Sequence, residues 1–469
     1  MQSSLRAQNA FLAAFSVWAS ILGQGATPLC AAQSDVGSVL VVLADDLGID
    51  ALESYGLDAQ VPRDLTPHLS ALASQGIRFE NAWSAPKCSP ARAALHTGRA
   101  AFRTGIGNVI EAGGHSLPTS ETTLPEMLAL RAPVPYSTGY FGKWHLERTG
   151  TNQFCAPSSL HGYEHFAGTL FQVPPQPGYC DWRVSVCDGA VGTNTRSFEY
   201  MPARIFDLAS AWIATRPERW FCVLAPQAPY ELLHTPPLNL QSIRNGPGCA
   251  SCAPGTRACF DAALQALDKK LGQLLADLGP DWEQRVTVIF TADNGTPGSV
   301  NRYWPTGHAK LTLFEGGVRV PFLVAGRAVP AARRGSVSSA LVSISDVYRT
   351  VARLAGVTTL PAGTAQDSFD LGPLLEATPR ANGRTHLWAE TFGRNAPAPP
   401  YPVHKVAIRD ARYKLIYNWS EQRPLFLFDL ARDPRELTNL LRPAVPAPNS
   451  PASTALQDLT GRIRASLGS

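Results

Sequence analysis

Residues 88–92 read Cys88-Ser89-Pro90-Ala91-Arg92, and the run continues Ala93-Ala94-Leu95-His96-Thr97-Gly98-Arg99. With 9 Cys, 39 Pro and at most 41 Arg in 469 residues, this cysteine–proline–arginine spacing is expected by chance on the order of 0.07 times. Pro90 suits the first turn of a helix, where its missing N–H is no loss, so Cys88 is expected just before a helix N-terminus. Backbone N–H groups and the helix dipole favour an anion there. Arg92, one turn inside, adds a fixed cation with fork geometry. On this segment alone the competing reading is an inert, buried structural cysteine.

Two further segments supply oxygen ligands. Val36 to Asp46 reads VGSVLVVLADD, a near-continuous apolar run of the kind buried on both faces of a parallel sheet. Its closing pair, Asp45 and Asp46, falls at a strand end, where open α/β sheets place ligands. Val286 to Phe290 ends the same way, in Thr291-Ala292-Asp293-Asn294-Gly295. Three Asp and one Asn suit Ca²⁺ or Mg²⁺ better than Zn²⁺, since no His or thiolate accompanies them. Between these strands lies Gly139-Tyr140-Phe141-Gly142-Lys143-Trp144-His145, where strand alternation would put Lys143 and His145 on one face. Gly307-His308-Ala309-Lys310 adds another basic segment ahead of Phe314-Glu315-Gly316-Gly317-Val318-Arg319-Val320-Pro321.

Taken in order, VVLADD, CSPARAALHTGR, GYFGKWH, FTADNG and KLTLFEGGVRVP resemble the type I sulfatases of the alkaline-phosphatase-like superfamily. So does the tail with Tyr413-Lys414-Leu415-Ile416 and Leu427-Phe428-Asp429-Leu430-Ala431-Arg432-Asp433-Pro434. The resemblance implies conversion of Cys88 to formylglycine by a formylglycine-generating enzyme. It also implies a divalent cation, usually Ca²⁺, held by Asp45, Asp46, Asp293, Asn294 and the modified Cys88. The hydrated aldehyde would attack sulfur, with Arg92 and Lys143 steadying its charge. His145 would remove a proton to release sulfate, and Lys310 would bind the sulfate and the leaving oxygen. Ala91 stands where many members have Ser. A second departure matters more. Family members often carry Ala-Pro-His-x-Pro, and here Ala225-Pro226-Gln227-Ala228-Pro229 places Gln227 at the histidine. Gln227 can donate a hydrogen bond but cannot act as an acid near neutral pH. His234, His308 or Lys310 would then assist departure, or the leaving group needs no proton.

The implied fold is an α/β core with a large central mixed sheet flanked by helices, residues 33–378. A smaller C-terminal α+β subdomain with a short antiparallel sheet follows, 379–469. Helical stretches are expected at Pro202–Thr215 and Arg257–Leu278, with late strands at His404–Arg409, Tyr413–Tyr417 and Leu425–Leu430 and a last helix at Thr454–Leu467. A net charge of +4 with 17% charged residues is no nucleic-acid profile. Residues 1–32 read as a signal peptide, too short in its apolar part to span a bilayer, which implies a periplasmic or secreted protein. Cys155, Cys180, Cys187, Cys249, Cys252 and Cys259 then read as disulfide cysteines of open connectivity. The expected activity is cleavage of an aryl or carbohydrate sulfate ester. The same site could instead serve a phosphate or phosphonate ester, or a weakly active binder of sulfated glycans.

Overall fold

A computed structural model describes residues 36–111, 114–148, 153–172, 178–216, 219–242, 252–253 and 255–468. The expected signal peptide and Cys249 lie outside the described residues. Ten strands form one sheet: β1 (Ser38–Ala44), β2 (Gly76–Trp83), β3 (Ser137–Lys143), β4 (His165–Thr169), β5 (Trp182–Asp188), β6 (Val191–Ser197), β7 (Trp220–Ala225), β8 (Val286–Ala292), β9 (Phe322–Gly326) and β10 (Ser336–Ser343). Their spatial order is β10-β2-β9-β8-β1-β7-β3-β4-β5-β6. The middle of the sheet, β8-β1-β7-β3, is wholly parallel, while β9 and the β4–β5–β6 meander pair antiparallel. The sheet is therefore mixed, as expected.

The apolar run at β1 is explained by its position. Leu40, Val42 and Ala44 enter the core on one face, with helices Met201–Ala214 and Arg257–Asp277. Val39, Val41 and Leu43 enter the core on the other, with helices Cys88–Thr97 and Asp346–Leu354. A strand buried on both faces has no solvent side, so the hydrophobic period of two disappears into a continuous run. Gly142 is the one position where β3 requires a glycine: its φ is +113°, and a Cβ there would lie 2.0 Å from the Ala225 carbonyl oxygen of β7.

A second sheet, β11 (Leu387–Thr391), β12 (Lys405–Arg409), β13 (Tyr413–Asn418) and β14 (Arg423–Asp429), is antiparallel throughout and runs in chain order. Val406, Ile408, Leu415 and Tyr417 pack on the last helix, Pro451–Leu467. Ala407, Ile416 and Phe428 face Trp83 and Val318 of the larger sheet's surroundings. Among the described residues no helix is long and apolar enough to cross a membrane. Cys155–Cys187 and Cys252–Cys259 are disulfides, and Cys180 is also disulfide-bonded.

Candidate active site

The four parallel strands end at one edge of the sheet, and each delivers chemistry there. Asp45 and Asp46 follow β1, Asp293 and Asn294 follow β8, Lys143 closes β3, and Gln227 lies two residues past β7. Segment 228–231 runs beside Asp45, whose N–H donates to the Ala228 carbonyl (3.0 Å) and whose carbonyl accepts from Tyr230 N–H (3.1 Å). Cys88 opens the helix Cys88–Thr97 with Lys87 as its N-cap, so the sequence motif does set a helix start at the site.

Asp45, Asp46, Cys88 and Asp293 are buried, and their ligand atoms all lie within 4.8 Å of one another. The Cys88 Sγ–H donates to Asp45 Oδ1 (3.6 Å). Asn294 Nδ2 donates to Asp46 Oδ1 (2.8 Å), and its buried Oδ1 has no hydrogen-bond partner. Three close carboxylates with an orphaned amide oxygen form a hard oxygen donor set, which fits Ca²⁺ or Mg²⁺. Gly295 holds this loop against the helix Glu315–Val318, its N–H donating to the Gly317 carbonyl (3.0 Å).

Three cations surround the acids, Arg92 and Lys143 fully buried and Lys310 mostly so. Arg92 reaches Asp293 Oδ2 with Nη2 (2.8 Å) and Nε (3.2 Å), and its Nη1 donates to the Lys143 carbonyl. Lys143 Nζ pairs with Asp45 Oδ2 (2.8 Å) and Lys310 Nζ with Asp46 Oδ2 (2.6 Å). The Lys310 loop is itself pinned, with Lys310 N–H on the Thr296 carbonyl and Leu311 N–H on the Pro86 carbonyl, both at 3.0 Å. Burial alone would lower the pKa of these ammonium groups. The adjoining carboxylates outweigh it and hold both lysines above their ordinary value. Burial, then the Asp293 charge, pushes the Cys88 thiol well up.

His145 is reached differently from the alternation argument. Strand β3 stops at Lys143, and His145 lies beyond it with φ +59°, a left-handed turn rather than a strand position. Burial, with Lys143, Arg92 and Lys310 close enough to act on it, drives its pKa well below the ordinary range, so the imidazole is neutral. Its Nδ1 is buried without a partner. Gln227 is fully buried. His234 Nε2 meets the Tyr200 hydroxyl (2.6 Å) while its ring stacks on Tyr179 at 3.4 Å, and burial lowers it to about 4. His308 stacks on Phe314 at 3.7 Å. The ligand-atom cluster brings together neither of these two histidines.

Two neighbours had no sequence signal of their own. The Tyr230 ring lies between the lysines, 4.6 Å from Lys143 Nζ and 5.3 Å from Lys310 Nζ. Glu231 Oε2 is 3.3 Å from Lys310 Nζ, and its backbone N–H donates to Asp46 Oδ2 (3.0 Å). Both follow directly on the Gln227 segment, which was the only pointer to them.

The sulfatase family model matches residues 38–357, spanning every strand end described above. The chain belongs to the sulfatase family. A second model, N-sulphoglucosamine sulphohydrolase, C-terminal, matches residues 307–449 of this sulfatase. Arylsulfatase A of Homo sapiens is 30% identical over 454 residues, covering 86% of this chain and 83% of the relative. Steryl-sulfatase of Rattus norvegicus is 27% identical, covering 87% and 86%. The crystal structure of Ps i-CgsB in complex with k-i-k-neocarrahexaose superimposes with a TM-score of 0.71 at 21% identity, covering 92% of each chain. The sulfatase thus has the alkaline-phosphatase-like fold, and its family activity is sulfate ester hydrolysis.

Proposed function

We propose that this sulfatase cleaves an aryl or carbohydrate sulfate ester with an oxygen nucleophile derived from Cys88 and a divalent cation, Ca²⁺ or alternatively Mg²⁺. The observation that carries the reading is the buried convergence of Asp45, Asp46, Cys88 and Asp293 within 4.8 Å, ringed by Arg92, Lys143 and Lys310. The high thiol pKa supports a need for modification, because a protonated thiol is a weak nucleophile. Converted by a formylglycine-generating enzyme and hydrated, residue 88 would supply a hydroxyl that a cation on Asp45, Asp46, Asp293 and Asn294 makes acidic. Arg92 and Lys143 would hold charge at that hydroxyl. The neutral His145 would accept a proton there, and Lys310 would meet the charge developing on the ester oxygen. Gln227 would orient the sulfate by hydrogen bonding; His234 and His308 remain candidate donors at greater remove.

The same reading keeps 33–378 as the catalytic part and 379–469 as the accessory part, supported by the break between the two sheets. Disulfides support a periplasmic or secreted setting for a signal peptide at 1–32. The deciding experiment pairs the mass of the tryptic peptide containing Cys88 with sulfate release from 4-nitrophenyl sulfate. Formylglycine at Cys88, with release abolished by Cys88→Ala, is the expected result. Full hydrolysis by protein carrying only the unmodified thiol overturns the reading.

A further inference from the structure

We propose that Glu231 is a specificity-determining residue that matches the site to a singly charged ester and rejects doubly charged ones, phosphate monoesters above all. The inference rests on the sulfatase reading for the scissile group, and on the charge inventory of the mouth for the rest.

The cations facing the site are Arg92, Lys143 and Lys310, and the inner acids are Asp45, Asp46 and Asp293. With one divalent cation on those acids, the inner site carries a net charge of two plus. That is a match for a phosphate monoester dianion as much as for anything else. Glu231 changes the sum. Its carboxylate lies 3.3 Å from Lys310 Nζ, whose inner partner is the buried Asp46, and its side chain is 46% exposed, so it sits on the solvent side of that lysine. Counting it leaves a single positive charge, the complement of a sulfate monoester. The Tyr230 ring between Lys143 and Lys310 adds no charge, and the buried Gln227 adds none.

Position also favours a selective role over a structural one. The Asp46 contact of this residue is made by its backbone N–H, which any side chain preserves. Lys310 also pairs with Asp46 at 2.6 Å, a buried contact that substitution of Glu231 does not touch directly. What Glu231 contributes through its side chain is charge at the mouth. A unit charge a few ångströms from a bound anion, at the effective dielectric of a half-exposed site, is worth about ten- to a hundredfold in discrimination.

The test uses the intact, calcium-loaded protein and its Glu231→Gln variant on three esters with a common leaving group at pH 8. These are 4-nitrophenyl sulfate and 4-nitrophenyl phenylphosphonate, both monoanions, and 4-nitrophenyl phosphate, a dianion. The sulfate-to-phosphate ratio of kcat/KM should fall at least tenfold in the variant, with the phosphonate tracking the sulfate. An equal change on all three esters overturns the proposal, as it would report loss of Lys310 positioning. Calorimetric binding of the sulfate and phosphate esters to protein with unconverted Cys88 gives a readout independent of turnover. There the variant should tighten the phosphate ester selectively, and equal shifts for the two overturn charge selection. Absence of wild-type hydrolysis with that binding difference intact would sink the Cys88 nucleophile while supporting the role of Glu231.

Discussion

An amide at position 227 leaves the buried site without an acid at that position, since Gln227 is fully enclosed and glutamine has no proton to give near neutral pH. His234 is a poor substitute: burial holds it at about 4, and its ring is committed to Tyr179 and Tyr200. Phenolate leaving groups depart without protonation, whereas sugar alkoxides do not, so the two ester types should respond differently to a restored acid. Gln227→His is expected to raise kcat on a sugar sulfate by up to about 10²–10⁴-fold, the usual worth of general acid catalysis, with a far smaller gain on 4-nitrophenyl sulfate. Equal gains on both would mean that position 227 only orients the sulfate.

Between the elements, the join of the second sheet to the active site adds buried ion pairs to its apolar contacts. Lys414 of β13 is fully buried, with Glu436 Oε1 at 2.8 Å and Glu315 Oε1 at 3.1 Å, and Glu315 opens the helix that backs the Asp293–Gly295 loop. Burial, reinforced by the Glu315 charge, lifts Glu436 from 4.5 to about 7. A carboxyl raised on folding binds its proton more tightly in the native state, so its stabilising contribution is complete below about pH 4.5 and is lost as pH rises through about 7. Glu436→Gln should therefore flatten the decline of Tm across that window relative to wild type, and parallel Tm–pH curves would refute the assignment. None of this was legible beforehand. Tyr413–Tyr417 reads correctly as a strand, yet the partners of Lys414 lie 99 residues away at Glu315 and in a loop at Glu436, and such pairings leave no local pattern. By contrast β1, β8, Met201–Ala214 and Arg257–Asp277 were readable because burial on both faces, or on one helix face, writes itself into the chain as a run or a period. The acidic strand ends were readable because they close such runs, and Cys88 because of its spacing to Pro90 and Arg92. The left-handed turn at His145, and Glu231 at the mouth, were not.

At the scale of the whole molecule, the site is assembled from segments between Asp45 and Lys310, and its central residue ends up 5% exposed beneath them. Such burial turns chemistry at Cys88 into a matter of timing. If Cys88 is converted as proposed, the modifying enzyme would have to reach the segment through Arg99 before the site closes, and closure requires β8, beginning at Val286, to pair with β1. Roughly 190 residues separate the two, so synthesis at about 5–20 residues per second leaves on the order of ten to forty seconds before the strand exists. Folding by so many distant parallel pairings adds delay of its own. Purified, folded protein carrying the thiol should accordingly resist conversion in vitro, while the same chain unfolded and offered as a peptide should be converted, as peptide masses would show. Expression that outruns the modifying enzyme would then yield a permanently mixed population. In it, well-folded molecules sealed too early would be indistinguishable from active ones by shape and inert for life.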